Sequence, residues 1–518
     1  MADNKVLLII LDGWGLNASE NGNAPLLAKT PVLDSVYATY PKTSLSAAGL
    51  EVGLSTGEPG NSEVGHLNIG SGRVVWENLP RIDQAIESGQ FASNKNMITV
   101  FDHVKKNGST LQLVGLVSDG GVHSHIRHLQ EIIRLAAENG VKSIAVHFIS
   151  DGRDSDPEGG AGYAATLEKT FAMAKVGKIA TIVGRYFAMD RDKNWDREKK
   201  AFDVMIKGVG GHADSAKEAF EASYKAKKTD EFLEPVVLGE GAPFGEKDAI
   251  LFFNHRSDRM RQMLSLFEKF KEGNPGVFVA SMTQYYREQI SPVIFSPVNL
   301  ENTVSEIVSA VSMNQLHTAE TEKFAHVTYF FRGGKETSPK KEVDTIIPSK
   351  KVPTYDQLPG MSAEEVTKIV LEGIAKNTDF IVVNYANGDM VGHTGVLKAA
   401  IEACEIVDGC LGEVLPAASK AGYKVFITAD HGNCEVMKDE STGKPNTEHT
   451  SNPVPFVYLD FIKRPFEAAA IFSNEDYFQY AAATPIGVLA DIAPSILANL
   501  GVDKPEEMSG MDLSVAML

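Results

Sequence analysis

Cysteine is scarce in this chain of 518 residues, which contains only Cys404, Cys410 and Cys434. No two of them form a Cys-x-x-Cys pair, and the first two lie in a stretch with helical spacing. Proteins of oxidising compartments usually carry more cysteines, at spacings that allow disulfide frameworks. The scarcity therefore predicts a protein of a reducing compartment.

Long apolar runs are also missing. The first run, at residues 6–11, is interrupted by Asp12 and is too short for the core of a signal peptide. No segment approaches the roughly 20 apolar residues that a membrane-spanning helix needs. We therefore expect a cytoplasmic protein that has no membrane partner.

Positive charge is in deficit, with 50 Lys and Arg against 68 Asp and Glu and a net charge of −18. An acidic field of this size repels nucleic acid and anionic membrane surfaces, so neither is an expected partner. A phosphorylated substrate would need a pocket that is locally basic. Clusters of arginine are therefore informative in this sequence.

The chain is longer than the ~250–300 residues at which a single core stops growing, so we expect two domains. Two proline-marked stretches, residues 77–80 and 290–297, bound a segment with many arginine turns. The flanks carry turns rich in His and Asp instead. We predict a discontinuous outer domain of residues 1–78 and 298–518, with a second domain inserted at residues 79–297.

Short apolar runs alternate with stretches of helical spacing along the chain. The runs lie at residues 6–11, 111–117, 143–149, 179–183, 249–253, 325–331, 380–385, 425–428 and 454–459. Continuous runs of this length are typical of strands buried on both faces of a parallel sheet. A capping-box pattern at residues 362–365 and the apolar spacing of residues 398–418 indicate helices. The alternation predicts an α/β fold with a largely parallel, helix-flanked sheet in each domain.

Polar side chains follow many of the predicted strands, at the position where ligands bind in such sheets. They are Asp12, His123, Asp154, Arg185, Arg256, Asp389 and Asp430. Seven separate turns agree in this respect, which indicates functional turns rather than chance.

The flanking segments hold side chains suited to divalent metal ions. Asp389 and His393 are four residues apart, so one helical turn would place them on the same side. Asp430 and His431 are neighbours, and both can reach one ion only from a turn. Any one such motif alone favours an ordinary Asp-Gly turn. Together the candidates are sufficient for two ions: Asp12, Asp389, His393, Asp430, His431 and His449.

Ser62 lies in a glycine-rich segment, Gly-Glu-Pro-Gly-Asn-Ser-Glu-Val-Gly-His, at residues 57–66. A serine hydroxyl is a weak nucleophile unless a base or a metal ion lowers its pKa. The Gly-x-Ser-x-Gly elbow of a Ser-His-Asp hydrolase is incomplete, because Val64 stands two residues after Ser62. Activation by a metal ion fits better. Without the metal candidates, an ordinary solvated loop would be an equally good interpretation.

Arginines mark the turns of the inserted segment. They are Arg153, Arg185, Arg191, Arg256 and Arg259. Guanidinium groups at successive strand ends would converge and match phosphate or carboxylate oxygens. The alternative for one or two of them is surface ion pairing, since Asp154, Asp190 and Asp258 are adjacent in sequence. A nearby carboxylate or histidine could instead serve as an acid, a base or a positioning group.

Five motifs together resemble the 2,3-bisphosphoglycerate-independent phosphoglycerate mutases. They lie at residues 12–15, 60–70, 118–125, 151–154 and 429–433, and the motif at residues 60–70 is highly specific. The similarity continues in order to residues 489–496, which is nearly the whole chain. The resemblance implies an alkaline-phosphatase-like domain with an inserted transferase domain. It also implies a monomeric glycolytic isomerase that needs no 2,3-bisphosphoglycerate.

The resemblance also implies two metal ions, usually Mn²⁺, although Mg²⁺, Co²⁺ and Zn²⁺ suit the same ligand types. By motif match, one ion would be held by Asp389, His393 and His449. The other would be held by Asp12, Ser62, Asp430 and His431.

In the mechanism that the resemblance implies, Ser62 takes the phosphoryl group of 3-phosphoglycerate, which leaves phosphoserine and glycerate. Glycerate then reorients, and its 2-hydroxyl takes the group back to give 2-phosphoglycerate. Asp154 would move the hydroxyl proton, and Lys323 would lie beside the transferring phosphate. Glycerate and phosphate would be positioned by His123, Arg153, Arg185, Arg191, Arg256 and Arg259.

The sequence departs from the family pattern at His255, where an aromatic residue is usual, and at Arg332, where we expect a small polar one. Residues 461–482 also form a longer segment than usual. Two other interpretations stay open. A related phosphatase, phosphodiesterase or phosphopentomutase would share the metal-binding half but lack the arginine-rich insertion. A catalytically silent scaffold would have no reason to keep Ser62 and all six metal candidates.

Overall fold

The computed structural model describes residues 4–439, 441–461, 463, 464, 466, 477, 478, 482 and 484–515. The chain folds into two compact units. Unit 1 consists of Met1–Glu77 and Asn299–Leu518, and unit 2 is the continuous segment Asn78–Val298.

Strands and helices alternate through most of the described chain. The strands are β1 Lys5–Leu11, β2 Lys42–Ser46, β3 Leu111–Val117, β4 Ile144–Ser150, β5 Lys178–Gly184, β6 Gly211–Ala213, β7 Val236–Leu238, β8 Ala249–Phe252, β9 Phe278–Thr283, β10 Val293–Phe295, β11 Gln315–Glu320, β12 Glu342–Ile347, β13 Phe380–Tyr385, β14 Tyr423–Thr428, β15 Val454–Asp460 and β16 Gly487–Val488.

The α-helices are α1 Ala24–Leu27, α2 Pro31–Thr39, α3 Ser62–Ser71, α4 Asn78–Glu87, α5 Lys95–Asn107, α6 Ile126–Glu138, α7 Gly160–Ala174, α8 Arg185–Ala188, α9 Trp195–Lys207, α10 Ala216–Lys225, α11 Arg261–Gly273, α12 Val304–Ala310, α13 Thr321–Ala325, α14 Ala363–Ala375, α15 Asn387–Gly392, α16 Leu397–Ala421 and α17 Ile492–Leu500. Short 3₁₀ turns lie at Gly49–Val52, Asp230–Phe232, Tyr355–Gln357 and Leu489–Asp491. None of these helices is long and apolar enough to cross a bilayer, in the part of the chain that the structure describes.

Unit 1 is built on one eight-stranded sheet in the order β12-β11-β13-β1-β14-β15-β2-β16. Its neighbouring strands are parallel except where β15 pairs antiparallel with β14 and β2. The central strand β1 is buried on both faces, and residues 6–10 expose no side-chain surface. Burying a side chain such as Leu or Ile contributes about 1.5–3 kcal/mol, which explains the continuous apolar run.

Unit 2 has its own eight-stranded sheet, in the order β10-β9-β8-β3-β4-β5-β7-β6. Only the pairing of β5 with β7 is antiparallel among its described strands. The central strands β3 and β4 are buried along their whole length. The largely parallel, helix-flanked sheets confirm the predicted α/β class.

The predicted strand at residues 325–331 is wrong. The segment is helical: α13 runs into the π-helical turn His326–Phe330, which buries Val327 and Phe331 on one side. The strand is β11 instead, whose Gln-Leu-His-Thr-Ala-Glu sequence has no apolar run. Its buried polar groups are satisfied locally, for example by the hydrogen bond between His317 Nδ1 and the Val327 carbonyl (2.7 Å). The apolar run therefore predicted burial only in part, since Ala325 is exposed, and it predicted secondary structure incorrectly.

The predicted capping box at residues 362–365 is also wrong, although α14 does begin there. The Ser362 hydroxyl donates to the Pro348 carbonyl (3.0 Å) and makes no capping bond to the helix. Glu365 pairs instead with Lys350 (2.5 Å). The predicted helix at residues 398–418 is confirmed by α16.

The structure gives physical reasons for two departures in the sequence. His255 is buried and packs edge-on against the His128 ring (6.0 Å between centroids), so it fills an aromatic position. Arg332 is buried against two carboxylates, those of Glu342 (2.5 Å) and Asp344 (2.8 Å). Most of the long segment at residues 461–482 lies outside the described residues.

Candidate metal centre and active site

The turns after three neighbouring strands of unit 1 bring three carboxylates together. Asp12 directly follows β1, Asp389 lies in α15 after β13, and Asp430 follows β14 by two residues. β1 pairs in parallel with both β13 and β14, so the carboxyl ends of all three strands share one edge. All three carboxylates are buried. They need cations to be stable there.

Asp389 forms the first group, with His393 and His449. Its Oδ1 lies 3.3 Å from His393 Nε2 and 3.1 Å from His449 Nε2. The spacing of four residues places His393 one helical turn after Asp389, as predicted. The donor atoms of the group lie within 4.8 Å of one another.

The two histidines of this group are oriented by backbone carbonyls. His393 Nδ1 lies 2.8 Å from the Thr447 oxygen, and His449 Nδ1 lies 2.8 Å from the Gly60 oxygen. A ring that donates from Nδ1 in the neutral form keeps a lone pair on Nε2. The two Nε2 atoms are 3.1 Å apart, and both face Asp389. Two lone pairs and a carboxylate oxygen that converge in this way fit a cation.

Asp12, Asp430 and His431 form the second group, also within 4.8 Å. His431 Nε2 lies 3.6 Å from Asp12 Oδ1 and 3.5 Å from Asp430 Oδ2. Burial, followed by repulsion from Asp430, raises the pKa of Asp12. Asp430 Oδ2 is buried and accepts no hydrogen bond among the described residues. An excess of buried acceptors and mixed O and N donors fits a divalent ion here too.

Ser62 is the first residue of α3, and its hydroxyl faces the second group. Ser62 Oγ lies 2.9 Å from His431 Nε2 and 3.4 Å from Asp12 Oδ1. The preceding residue Asn61 caps the helix by accepting from the Val64 amide (2.9 Å). A helix N-terminus favours negative charge, so this position suits an ionised serine or a phosphate.

Close packing of α3 requires the glycine at position 65. A Cβ there would lie 2.6 Å from the Asp430 carbonyl oxygen, inside the turn that carries the second group. The glycine-rich sequence around Ser62 therefore lets the helix approach the metal-ligand turns.

Lys323, in α13, connects both groups to the serine. Its ammonium donates to Ser62 Oγ and to Asp389 Oδ2, each at 2.6 Å, and lies 2.6 Å from Asp12 Oδ1. Burial lowers the pKa of Lys323, but the charges of Asp12 and Asp389 outweigh that effect and hold it above its usual value. The lysine is therefore a charged group at the centre of the site.

Two asparagines that the sequence did not single out hold the carboxylates in place. Asn384 Nδ2 donates to Asp12 Oδ2 (2.6 Å), and Asn433 Nδ2 donates to Asp389 Oδ1 (2.9 Å). His66 also contacts this network, since its Nδ1 lies 3.3 Å from Asp430 Oδ2. One signal was available: Asn384 is the polar exception in the apolar run of β13.

Arg185 is the central cation of the candidate site in unit 2. It directly follows β5, and its NH1 donates to Asp151 Oδ1 (2.6 Å) and Asp154 Oδ2 (2.5 Å). Burial raises the pKa of Asp151, but hydrogen bonds from Ser118, the Asp154 amide and Arg185 outweigh it and lower the pKa. Asp151, which the sequence left without a role, thus anchors this arginine.

The other predicted residues of unit 2 surround Arg185. His123 Nε2 lies 3.8 Å from Asp154 Oδ2. Burial, followed by the Arg185 charge, lowers the pKa of His123 to about 4, so the ring is neutral at neutral pH. Burial and then the charges of Arg191, Arg185 and Arg153 lower the pKa of Arg259. Positive charge is therefore concentrated here in a chain of net charge −18.

Ion pairing accounts for part of this cluster. Asp258 lies 3.5 Å from Arg191 and 3.1 Å from Arg256, whose side chains are still half-exposed. Arg153 is half-exposed as well, with Glu231 4.0 Å away. Asp190 pairs with none of the predicted arginines among its described contacts and instead accepts from Asn194, Gln262 and Arg197. Half-exposed guanidinium groups keep donors available for an anionic ligand.

One more group of metal-type side chains exists among the described residues: His317, Glu342 and Asp344. Arg332 bridges its two carboxylates, as described above. The group therefore carries its own cation, and we assign it no metal ion.

Comparisons with known proteins agree on one family. The family model for the BPG-independent PGAM N-terminus matches residues 82–287, which lie within unit 2. A 2,3-bisphosphoglycerate-independent phosphoglycerate mutase of Clostridium novyi is 47% identical over 99% of this chain and 100% of its own length. The protein of the same name from Clostridium acetobutylicum is 46% identical, with the same coverage of both chains.

A solved structure supports the same assignment. It is a crystal structure of Leishmania mexicana phosphoglycerate mutase at low cobalt concentration, with 31% sequence identity and a TM-score of 0.56. The match covers 98% of this chain and 97% of that chain.

Relatives of this identity and coverage place the chain among the phosphoglycerate mutases, which are isomerases. Within that class, the chain belongs to the 2,3-bisphosphoglycerate-independent phosphoglycerate mutase family. The resemblance seen in the sequence is thereby confirmed. The family assignment also favours a mutase over the phosphatase, phosphodiesterase and phosphopentomutase alternatives.

Proposed function

We propose that this chain interconverts 3-phosphoglycerate and 2-phosphoglycerate in glycolysis and gluconeogenesis, without 2,3-bisphosphoglycerate, through a phosphoserine at Ser62. The observation that carries the proposal is the position of the Ser62 hydroxyl. It lies at the N-terminus of α3, 2.6 Å from Lys323 Nζ and 2.9 Å from His431 Nε2. A nucleophile that must carry a phosphoryl group is stabilised by a cation and a helix N-terminus beside it.

Two divalent ions would be held by the two ligand groups of unit 1. Asp389, His393 and His449 would hold one, and the other would be held by Asp12, Ser62, Asp430 and His431. Bound there, the ions would lower the pKa of the Ser62 hydroxyl and neutralise charge on the transferring phosphoryl group. We propose Mn²⁺ as the native metal, with Mg²⁺, Co²⁺ and Zn²⁺ as the alternatives that these O and N donors accept.

Lys323 and α3 would support the transfer from the protein side. The Lys323 ammonium would stay hydrogen-bonded to the Ser62 oxygen during the transfer, because both groups are buried and in hydrogen-bond contact. The first amides of α3 would donate to phosphoserine oxygens, as helix N-termini do for other phosphates. These groups are already in place, so little reorganisation is needed when charge develops.

The arginines of unit 2 would hold the substrate. Arg153, Arg191, Arg256 and Arg259 would bind the carboxylate and phosphate oxygens, which guanidinium groups match in pairs. Arg185 would hold the Asp154 carboxyl group in place through its 2.5 Å hydrogen bond. Asp154 would give a proton to the 3-oxygen of glycerate as the phosphoryl group leaves and take the proton of the 2-hydroxyl as the group returns, while neutral His123 positions the glycerate.

A mutase assay without 2,3-bisphosphoglycerate tests the proposal, with Ser62→Ala compared with Ser71→Ala. Ser71 is a buried serine at the other end of the same helix, so it is a matched control. We expect 2-phosphoglycerate from the wild type and Ser71→Ala, and none from Ser62→Ala. Ser62→Ala activity comparable to that of the wild type, or activity that survives a chelator, contradicts the proposal. Release of free phosphate in place of 2-phosphoglycerate would indicate a phosphatase.

The proposal includes a monomer that works in the cytoplasm, as expected from the family pattern and from the scarcity of cysteine. Sedimentation equilibrium at assay concentration should give the mass of one chain, 56.1 kDa. A mass of two chains would contradict this part of the proposal.

A further inference from the structure

Glu435 is a buried carboxylate that the proposed mechanism does not use. It stands two residues after Asn433 and exposes no surface. Its carboxylate makes no ion pair within 4.0 Å with a side-chain nitrogen of Lys, Arg or His in the part of the chain that the structure describes. A buried acid that lacks a countercharge is costly unless hydrogen bonds stabilise it.

Four hydrogen bonds stabilise this carboxylate, two on each oxygen. Oε2 accepts from the backbone amides of Gly15 (3.1 Å) and Asn433 (2.8 Å). Oε1 accepts from the Thr450 hydroxyl and from Asn452 Nδ2 (2.9 Å). All four donors lie in turns outside the helices and strands.

Each of these turns carries a candidate metal ligand. Gly15 is three residues after Asp12, Asn433 is two residues after His431, and Thr450 directly follows His449. The Asp12 and His431 turns belong to the second ligand group, whereas His449 belongs to the first. One side chain therefore joins both groups.

The turns are shaped to admit this carboxylate. A Cβ on residue 15 would lie 2.3 Å from Glu435 Cδ, and one on residue 432 would lie 2.5 Å from Oε1. Glycine occupies both positions, and any other residue there would displace the side chain.

We propose that Glu435 is a positioning residue for both metal ions, because it fixes the relative position of the three turns that carry their ligands. This role rests on the metal sites of the proposed function. Removing a group that hydrogen-bonds to a metal ligand and orients it typically lowers metal affinity by roughly 10- to 100-fold. Thr450 transmits the effect to the first group only, through His449.

The test is a titration of the metal-free full-length protein with Mn²⁺, followed by electron paramagnetic resonance of the free ion. The variants are Glu435→Ala, Thr450→Val and Asp408→Ala. Asp408 is a matched control, since it is a buried carboxylate of unit 1 that accepts two backbone amides, those of Val32 (3.1 Å) and Leu33 (2.8 Å). It contacts no candidate ligand among its described hydrogen bonds.

We expect the wild type to bind two ions, and Asp408→Ala to bind both of them with the same affinities as the wild type. Glu435→Ala should stay folded and should bind both ions with an affinity about 10- to 100-fold lower. Thr450→Val should weaken the affinity for the first-group ion several-fold and leave the affinity for the second-group ion unchanged. The double variant Thr450→Val/His393→Ala should bind the second-group ion with the same, unchanged affinity. Thr450→Val decides the question if Glu435→Ala fails to fold, because the substitution preserves shape and removes only the hydrogen bonds of the hydroxyl to Glu435 and to the Asn452 amide (3.3 Å).

Three results would overturn the role of Glu435. Wild-type affinity in Glu435→Ala or in Thr450→Val would show that the carboxylate does not act on the ligands. An equal loss of affinity in Asp408→Ala would show a general loss of stability instead. If the wild type itself binds no Mn²⁺, the metal sites of the proposed function fail as well, so the two failures are distinguishable.

Discussion

Units 1 and 2 each carry an eight-stranded, mostly parallel sheet, yet several turns at their strand ends present side chains of opposite charge. In unit 1, the turns after β1, β13 and β14 present Asp12, Asp389 and Asp430. In unit 2, the turns after β5 and β8 present Arg185 and Arg256. The same architecture thus carries a candidate site for cations in unit 1 and a candidate site for anions in unit 2.

The difference shows where chemistry resides in such folds. Strands must be apolar because they are buried on both faces, whereas the turns beyond their carboxyl ends are free to vary. The carboxylates of unit 1 are fully buried and depend on cations for their stability. Several arginines of unit 2 are half-exposed and keep hydrogen-bond donors available for an anion. The scaffold is shared, and the turns decide the ligand.

The largest effect is expected in unit 1, at Ser62. Ser62→Ala should lower mutase turnover by about 10³-fold or more, because the proposed phosphoserine cannot form. Steady-state assay gives the comparison, with Ser71→Ala near the wild-type rate. A Ser62→Ala variant that keeps even a tenth of the wild-type rate would contradict the assignment of the nucleophile.

A smaller loss is expected when the anion site of unit 2 loses one guanidinium. Arg259→Ala should lower kcat/KM by ~10²-fold, mainly through KM, since a charge-assisted hydrogen bond is worth about 1.5–3 kcal/mol. Arg261→Ala is the control, because Arg261 bonds the Tyr285 carbonyl (2.9 Å) and has no proposed substrate role. An equal loss of kcat/KM in both variants would contradict a role of Arg259 in substrate binding.

Metal binding should stabilise unit 1 and leave unit 2 unchanged. At a free Mn²⁺ concentration 100 times Kd, binding stabilises the folded state by about 2.7 kcal/mol. Hydrogen exchange with and without chelator should therefore show slower exchange in β1 and β14 on metal addition, and no change in β3 and β4. Equal protection of all four strands would contradict metal sites confined to unit 1.

Unit 2 should lose stability in mild acid through His147. Burial lowers the pKa of this ring to about 3, from its usual value of 6.5. The unfolded chain binds the proton first, so this contribution is complete above pH 6.5 and is lost as pH falls toward 3. The loss at pH 5 is about 2 kcal/mol.

The test of this effect is the pH dependence of exchange in β3 and β4. His147→Gln can keep hydrogen bonds to Thr181 and Gln112, which contact the ring at 2.9 and 3.0 Å, but it cannot titrate. We expect the stability of β3 and β4 to fall less steeply with decreasing pH in the variant than in the wild type. The same acid dependence in both proteins would show that another group dominates the acid-induced loss of stability.

Much of this organisation could be predicted from the sequence. Apolar runs located β1, β3, β4, β13 and β14, and the candidate site residues follow these strands. β11 was missed because its buried groups are polar and are satisfied by side-chain hydrogen bonds, which leave no hydrophobic pattern. The role of Lys323 came from the family resemblance alone, since a lysine in an apolar neighbourhood has no diagnostic spacing.

The residues that hold the ligands were the hardest to predict. Asn384 and Asn433 act through single hydrogen bonds to carboxylates that are distant in sequence. Glu435 joins segments more than 400 residues apart, such as Gly15 and Asn433. Such contacts are created by folding and have no local signature.

The central claim is that Ser62 carries the phosphoryl group during turnover. Rapid acid quench after mixing with 3-phosphoglycerate, followed by peptide mass spectrometry, tests it most directly. We predict one added phosphoryl group on the peptide that contains Ser62, and none when the metal is removed. Turnover with an unmodified Ser62, or with the phosphoryl group on another residue, would contradict the claim.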